Sequence, residues 1–440
     1  AWFPVATPQL KRPSEYKWLG RHSVRLDAQS KSDGSAVFGM DVVVPNMRLC
    51  VVRRCPVIGG RGRSFDAAAA RAMPGVEDVV DIGHGVAVVA RSTWEARNAA
   101  EALNVTWDEG PNAALSSDGI RDAFKQDVAR GGGLVAKPGS FSLRQKLAAA
   151  PVKKSAVYSM PYLAHAGMEP MNCTAHVTSS GCEIWTGSQV PGIARKVASE
   201  ITGLPLSRVT VHNTLLGGGF GRRGRTDYVA EAVTVSKLTK KPVKLTWTRE
   251  DDMHHGILRP LAYHEIEGGV DAQGRLVGIS HKVACQSVYE NLSTDIADAM
   301  FPGMRLLVAA AGGLFSKFVD PTSVEGSADT EYEVPDFRVE YYHQKVSIPV
   351  GAWRSVGHSF NAFVMETFVD ELAVAAGRDP LEFRRALLGG RPRMRALLEQ
   401  VAAKAGWGAP LPAGVYRGIA CNKSFESCAA AVAEVSVDGT

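Results

Sequence analysis

Cysteine is scarce in this chain of 440 residues: seven, at Cys50, Cys55, Cys173, Cys182, Cys285, Cys421 and Cys428, with no C-x-x-C pair. So few and so scattered a set supplies neither a disulfide framework nor a structural zinc site. An iron–sulfur cluster needs four closely spaced thiolates and has no place here, so any such cluster is expected on a partner. Cys173 and Cys182 flank a hairpin, but a turn at Ser179-Ser180-Gly181 sets Cys173 opposite Thr186. That register argues against a bridge. Long apolar runs are missing too. The richest, Leu306 to Phe315, is far short of the ~20 residues that span a bilayer. Charge is nearly balanced, with 50 Lys and Arg against 45 Asp and Glu, an excess too weak to demand nucleic acid or an anionic membrane. Neither an initiator Met nor an apolar signal core opens the chain at Ala1-Trp2-Phe3-Pro4, so a processed or truncated product is expected. No repeat or low-complexity stretch is present.

What remains is ordinary globular composition, 45% hydrophobic and 22% charged, in a length that suits two to four domains. Residues 1–20 read as an extended lead-in. In residues 21–110, Val42-Val43-Val44 and Leu49 to Arg53 read as strands. Ser64-Phe65-Asp66 opens an Ala-rich helix that stops at Pro74-Gly75, and Val76 to Ile82 and Val86 to Ala90 read as strands again. Ser92 and Glu95 form a capping box before a helix to Leu103, and Val105-Thr106-Trp107 is a strand. This is one small α/β domain, followed by a surface connection over 111–150. Beyond it strands and helices alternate. Strand Cys182 to Trp185, helix Gly192 to Ile201 and strand Arg208 to Thr214 lead to Gly217-Gly218-Gly219-Phe220-Gly221-Arg222-Arg223-Gly224. A helix from about Thr226, a strand Val243 to Thr248 and a helix Asn361 to Ala376 follow, then a second capping box at Asp379-Pro380-Leu381-Glu382.

The Gly-rich loop is the strongest chemical signal in the spacing, because side chains that would hold backbone N–H groups away from a polar or anionic ligand are missing. Gly219, Gly221 and Gly224 satisfy the dinucleotide fingerprint, with Glu250 as the ribose carboxylate, but Glu250 stands 31 residues after Gly219 rather than ~20. No Lys followed by Ser or Thr accompanies the loop, which excludes a P-loop. A dinucleotide-dependent dehydrogenase is therefore an alternative, and a bare packing turn another. A third is a basic binding module built on Arg222, Arg223, Arg225, Lys237, Lys240 and Lys241, without the aromatic platform nucleic-acid modules carry. A second dense run, Gly351-Ala352-Trp353-Arg354-Ser355-Val356-Gly357-His358, sets an Arg and a His before a long helix. Pro161 and Pro170 keep His165 and Glu169 from stacking on one helical turn, which argues against zinc there. His254-His255 read as surface or core histidines, and Glu366 with Asp370 as a solvated helix face.

These runs resemble the large molybdenum-binding subunit of the xanthine dehydrogenase and aldehyde oxidase superfamily. The nearest branch is the isoquinoline 1-oxidoreductase beta-subunit type, which includes membrane-associated bacterial aldehyde dehydrogenases. The carrying residues are Ala164-His165-Ala166-Gly167-Met168-Glu169-Pro170-Met171-Asn172-Cys173, Leu216 to Arg223, Thr322-Ser323-Val324-Glu325-Gly326-Ser327-Ala328-Asp329 and Trp353 to His358. The resemblance implies an α+β fold, with a small hammerhead α/β domain over 21–110 and a mixed α/β molybdopterin-binding domain over 151–440. It implies a molybdenum–molybdopterin cofactor, in the cytosine dinucleotide form, with no protein ligand directly on the metal. The reaction would hydroxylate an electron-poor carbon of an aldehyde or N-heteroaromatic with oxygen from water. Electrons would pass to a small [2Fe–2S] subunit and a cytochrome c.

By position, Gln189 matches the glutamine that hydrogen-bonds a metal ligand, and Gly218, Gly219, Phe220, Gly221 and Arg222 fall in the cofactor-binding loop. Arg354 matches an active-site arginine near the substrate. Gln189, the loop and Arg354 are expected to converge on one pocket. Two family features are not found: the catalytic Glu of a Gly-Val-Gly-Glu-Pro-Gly run, and a Met-Gly-Gln-Gly run ahead of residue 1. The chain is thus expected to be the middle of a longer protein or one piece of a split one, inactive by itself. The expected location is periplasmic or inner-membrane-associated through partners, with the cytoplasm as the alternative.

Overall fold

The computed structural model describes residues 9–290 and 318–437, so the run Leu306 to Phe315 and the opening Ala1 to Pro4 lie outside the described residues. In chain order the strands are β1 (Arg48–Arg54), β2 (Arg61–Asp66), β3 (Val76–Asp81), β4 (Gly85–Ala90), β5 (Asn104–Asp108), β6 (Leu134–Lys137), β7 (Val152–Met160) and β8 (Asn172–Val177). There follow β9 (Cys182–Thr186), β10 (Val209–Asn213), β11 (Val243–Thr246), β12 (Ala262–Val270), β13 (Leu276–Gln286), β14 (Phe337–Gln344), β15 (Val415–Ser424) and β16 (Ser427–Ser436). A seven-stranded mixed sheet has the order β10-β9-β8-β11-β1-β4-β3, and a five-stranded one the order β6-β14-β13-β12-β7.

Side-chain pattern explains each position. The run Gly-Val-Ala-Val-Val-Ala of β4 is buried throughout, as small apolar residues without alternation must be when both faces are covered. In β7 partly buried and exposed residues alternate, which suits an edge strand with one face in water. Helix Asp227–Thr239 lays Tyr228, Val229 and Ala232 on the seven-stranded sheet, against a core that includes Cys173, Ile184 and Leu245. Helix His358–Ala375 sets Phe360, Val364, Phe368 and Leu372 in the core of the five-stranded sheet with Ile266, Val283 and Tyr341. Each such side chain contributes about 1.5–3 kcal/mol when fully buried.

Strand β1 joins β11 in parallel, Arg48 beside Val243, and β4 in antiparallel. Residues 48–90 and 172–246 therefore share one continuous sheet. In the β8–β9 hairpin Thr174 faces Trp185 and Val177 faces Cys182, which sets Cys173 against Thr186 as expected, and all seven cysteines are free.

Several local expectations are corrected. Val42 to Val44 form no strand: a tight turn over Gly39–Asp41 precedes them, Val43 is exposed, and Pro45 follows with no N–H to give a neighbour. Ser64 to Asp66 end β2, paired with β5, instead of opening a helix. The helix there spans only Ala68–Arg71, after Asp66 accepts the Ala68 N–H at 2.8 Å. Residues 111–150 are more than a connection. They carry helix Ser117–Arg130, strand β6 paired with β14, and helix Leu143–Ala149, burying Ile120, Phe124, Val128, Leu143 and Leu147. The Gly131-Gly132-Gly133 signal marks only the turn between the first two. Glu366 and Asp370 do not face water alone, since both bind the fully buried guanidinium of Arg384 from helix Pro380–Ala386.

Candidate active site

Four connecting segments meet where strands of the seven-stranded sheet end: 165–171 ahead of β8, 187–190 after β9, 214–224 after β10, and 349–357. Arg223 stitches three of them together. Fully buried, it donates from Nε to Gly218 O at 3.0 Å, from Nη1 to Gly187 O at 3.0 Å, and from Nη2 to Glu169 Oε2 at 2.8 Å and Glu169 O at 3.1 Å. Glu169 in turn accepts the N–H of Gly217 at 2.7 Å and of Met40 at 3.0 Å, and the Asn172 amide at 2.9 Å. A guanidinium presents a rigid fork of donors, so a buried one shared among these oxygens fixes the mutual placement of those loops.

On this frame the Gly-rich loop folds tightly. Gly218, Phe220 and Gly221 have φ of 105°, 54° and 101°. The value at Phe220 is uncommon for any residue with a Cβ, and its ring stays partly exposed. Among the described residues the N–H groups of Gly218, Gly219 and Phe220 find no acceptor, and successive unpaired backbone donors are the chemistry by which loops receive anions and polar cofactors. Gly221 donates its N–H to Gln189 Oε1 at 3.2 Å, and the Gln189 N–H donates to Arg223 O at 3.0 Å. Because only the amide oxygen can accept, the exposed Gln189 is left with its NH2 group outward as a donor.

The fourth segment closes on the same glycine. A Cβ at Gly221 would overlap the carbonyl oxygen of Ala352. His165 Nε2 lies 3.1 Å from that carbonyl oxygen and Nδ1 2.9 Å from the Ile257 carbonyl oxygen, and the neutral ring donates to one of the two. Burial keeps its imidazole below the ordinary range. Next along the chain, Trp353 has a buried Nε1 with no partner among the described residues, and Arg354 is exposed with no ion pair among them. Ser355 and Val356 follow at φ 72° and 45°.

Gln189, Gly218 to Gly221 and the backbone carrying Arg354 are thus neighbours through Gly221. Arg222 has a different place. Its guanidinium is buried, paired with both carboxylate oxygens of Asp227 at 2.9 and 2.8 Å, and lies 5.0 Å from the Trp247 ring. That side chain is turned into the interior and is not available to a ligand at the loop. Sequence reasoning did not single out Glu169 or Arg223 as organisers, since burial of an ion pair leaves no mark in spacing. The basic patch is dispersed: Arg222 and Arg223 are buried, Lys241 pairs with Glu77 and Asp78, and Lys237 binds the Ile201 carbonyl. Among the described residues no group of three or more His, Cys, Asp or Glu gathers as a metal cage, and no helix is long and apolar enough to cross a membrane.

The sequence matches the molybdopterin cofactor-binding domain over residues 133–306 and 297–388. The chain belongs to this family. It is 29% identical over 438 residues to the isoquinoline 1-oxidoreductase subunit beta of Brevundimonas diminuta, covering 97% of this chain and 54% of that one. It is 28% identical to the membrane-bound aldehyde dehydrogenase (pyrroloquinoline-quinone) of Gluconacetobacter polyoxogenes, covering 96% and 56%. The chain spans about half the length of these curated relatives. Its fold matches the aldehyde oxidoreductase of Desulfovibrio gigas with a TM-score of 0.66 at 18% identity, over 90% of this chain and 48% of that one. Quinoline 2-oxidoreductase of Pseudomonas putida 86 gives 0.63 at 18%, over 91% and 57%. The α+β architecture is that of the molybdenum-binding subunits.

Proposed function

We propose that the chain is the molybdenum-cofactor subunit of an oxidoreductase that hydroxylates an electron-poor carbon of an aldehyde or N-heteroaromatic compound with oxygen from water. The observation that carries this reading is the meeting of Gln189, the 218–221 loop and the Ala352–Arg354 segment at Gly221. The residues present fit a molybdopterin cofactor. The free N–H groups of Gly218, Gly219 and Phe220 and the amide of Gln189 are donors for its oxygens; a side chain at Gly221 has no room, and one at Gly219 would displace the Gln189 amide. When bound, the cofactor supplies two-electron oxidation with water as the oxygen source.

The chain's own groups do the positioning. Gln189 orients a donor already locked by Gly221, and preorganised donors stabilise charge developing on oxygen without reorganising. Arg354 offers a fork of donors to the polar atom of an aldehyde or ring substrate. The cytosine dinucleotide form of the cofactor, a small [2Fe–2S] partner subunit, a cytochrome c acceptor and a periplasmic or inner-membrane-associated location belong to this reading. Its support for an external cluster is that the described cysteines are buried or scattered.

Metal and nucleotide analysis of the native assembly tests the proposal: molybdenum and a pterin are expected, with iron on a separate small polypeptide. Zinc or a nicotinamide dinucleotide without molybdenum would overturn it in favour of a dehydrogenase using Gly219, Gly221 and Gly224.

A further inference from the structure

The segment Thr322 to Asp329 has no part in the site described so far, yet it lies against the turn that carries Arg354. We infer that Glu325 is a positioning residue for Arg354, fixing through the Gly357 N–H the strained turn on which that arginine stands. The inference rests on the reading of Arg354 as a substrate-side group.

Ser355 and Val356 are both left-handed, at φ 72° and 45°. For β-branched Val356 such a conformation is a steric outlier and persists only where neighbours over-determine it. Some of the holding is local: Val356 N–H donates to Trp353 O at 2.6 Å and His358 N–H to Ser355 O at 3.0 Å. Bonds within the turn cannot aim it relative to the cleft.

The turn's N-terminal side is held at Gly351 by the Leu258 carbonyl and at Ala352 by Gly221 and His165; its C-terminal side, at Gly357, is held from 322–326. Glu325 Oε1 accepts the Gly357 N–H at 2.9 Å. Asn361 Nδ2 donates to Ser323 O and Glu325 O, each at 2.9 Å. A Cβ on Gly357 would overlap Thr322 O and lie 2.8 Å from Glu325 Cγ, and one on Gly326 would lie 2.9 Å from His358 Cα. Glycines at 326 and 357 thus let the two segments lie backbone to backbone, and Glu325 is the side chain of this segment that bonds to the turn's own backbone. Its second oxygen, Oε2, lies 4.0 Å from His358 Nε2, which Asp329 Oδ2 approaches to 3.9 Å. That spacing is an ion-pair distance without a hydrogen bond, so Glu325's bond is spent on the turn.

Hydrogen exchange and kinetics on the native assembly test this, with and without cofactor. In Glu325→Ala the amides of 353–358 should exchange roughly threefold to tenfold faster, as loss of one hydrogen bond implies. Glu325→Asp, one methylene shorter, should show the same rise and serves if the Ala variant does not fold. Glu325→Gln, whose amide oxygen still accepts the Gly357 N–H, should restore exchange to nearly the wild-type rate. Turnover should follow the same order, and Glu325→Ala should add nothing to Arg354→Ala in a double-mutant cycle. Unchanged exchange at 353–358 in both Ala and Asp variants, or additive losses in the cycle, would overturn the inference. Faster exchange together with an Arg354→Lys enzyme of unchanged turnover would instead overturn the reading of Arg354 on which it rests.

Discussion

Gly221 and Ala352, far apart in sequence, touch: the space a Cβ of Gly221 would take is filled by the Ala352 carbonyl oxygen. With φ at 101°, the position excludes side chains twice over, by contact and by conformation. Gly221→Ala is therefore expected to push the Arg354 segment away, and Gly219→Val to put its side chain where Gln189 Oε1 now lies, 2.7 Å from the Cβ position. Both variants should purify folded but with little molybdenum per chain, read by elemental analysis beside circular dichroism.

Arg354→Lys separates chemistry from stability. The side chain is exposed and unpaired among the described residues, so melting should shift by no more than a surface change of about 0.5 kcal/mol implies. An ammonium cannot reproduce the guanidinium fork, and kcat/KM should fall by roughly tenfold or more. Steady-state kinetics beside a melting curve checks both halves.

Arg223→Met should do the reverse. It leaves the buried Glu169 carboxylate without its cation and frees the carbonyls of Gly187 and Gly218. Breaking one side of such a pair costs about 3–5 kcal/mol, so apparent stability should drop before any activity is measured. Arg223→Lys should recover only part, since one ammonium cannot span three segments.

Stability should carry a proton signature from Glu325. Burial raises its carboxyl to about 7, Asp329 and Asp320 add to the rise, and the Gly357 N–H opposes it. The folded chain then holds this proton more tightly than the unfolded one. The stability it contributes is full below the ordinary glutamate range and is lost as pH rises through about 7. His358, held below its ordinary range by burial, acts in the opposite sense. The readout is therefore the difference between wild type and Glu325→Gln across pH, which should narrow toward acid and widen toward neutrality in the variant's favour.

Much of this was legible from sequence where local physics decides. Gly203 and Pro205 end one helix and Lys241-Pro242 another, and those helices are found at Pro191–Thr202 and Asp227–Thr239. The loop between β10 and the second helix followed from its glycines. Tertiary partners decided the rest. Val42 to Val44 have strand propensity but no strand beside them, while Asp66 serves as a cap rather than as the first turn of a helix. Arg222 and Arg223 read as part of a basic patch because nothing in their spacing reveals Asp227 and Glu169 as their partners in the interior. Glu325 was visible as part of a motif, but its bond to Gly357 depends on a fold that brings two segments together.

The pairing of Arg48 with Val243 sets an order of events during synthesis. As the ribosome works, β1 can pair antiparallel with β4 early, but the other edge of β1 stays open until β11 has emerged. That edge carries unpaired backbone donors and acceptors on a strand of Leu, Cys and Val, the kind of surface that recruits other chains. Residues 48–90 cut out as a separate fragment would keep that edge open for good, so they are expected to aggregate rather than to behave as a portable module.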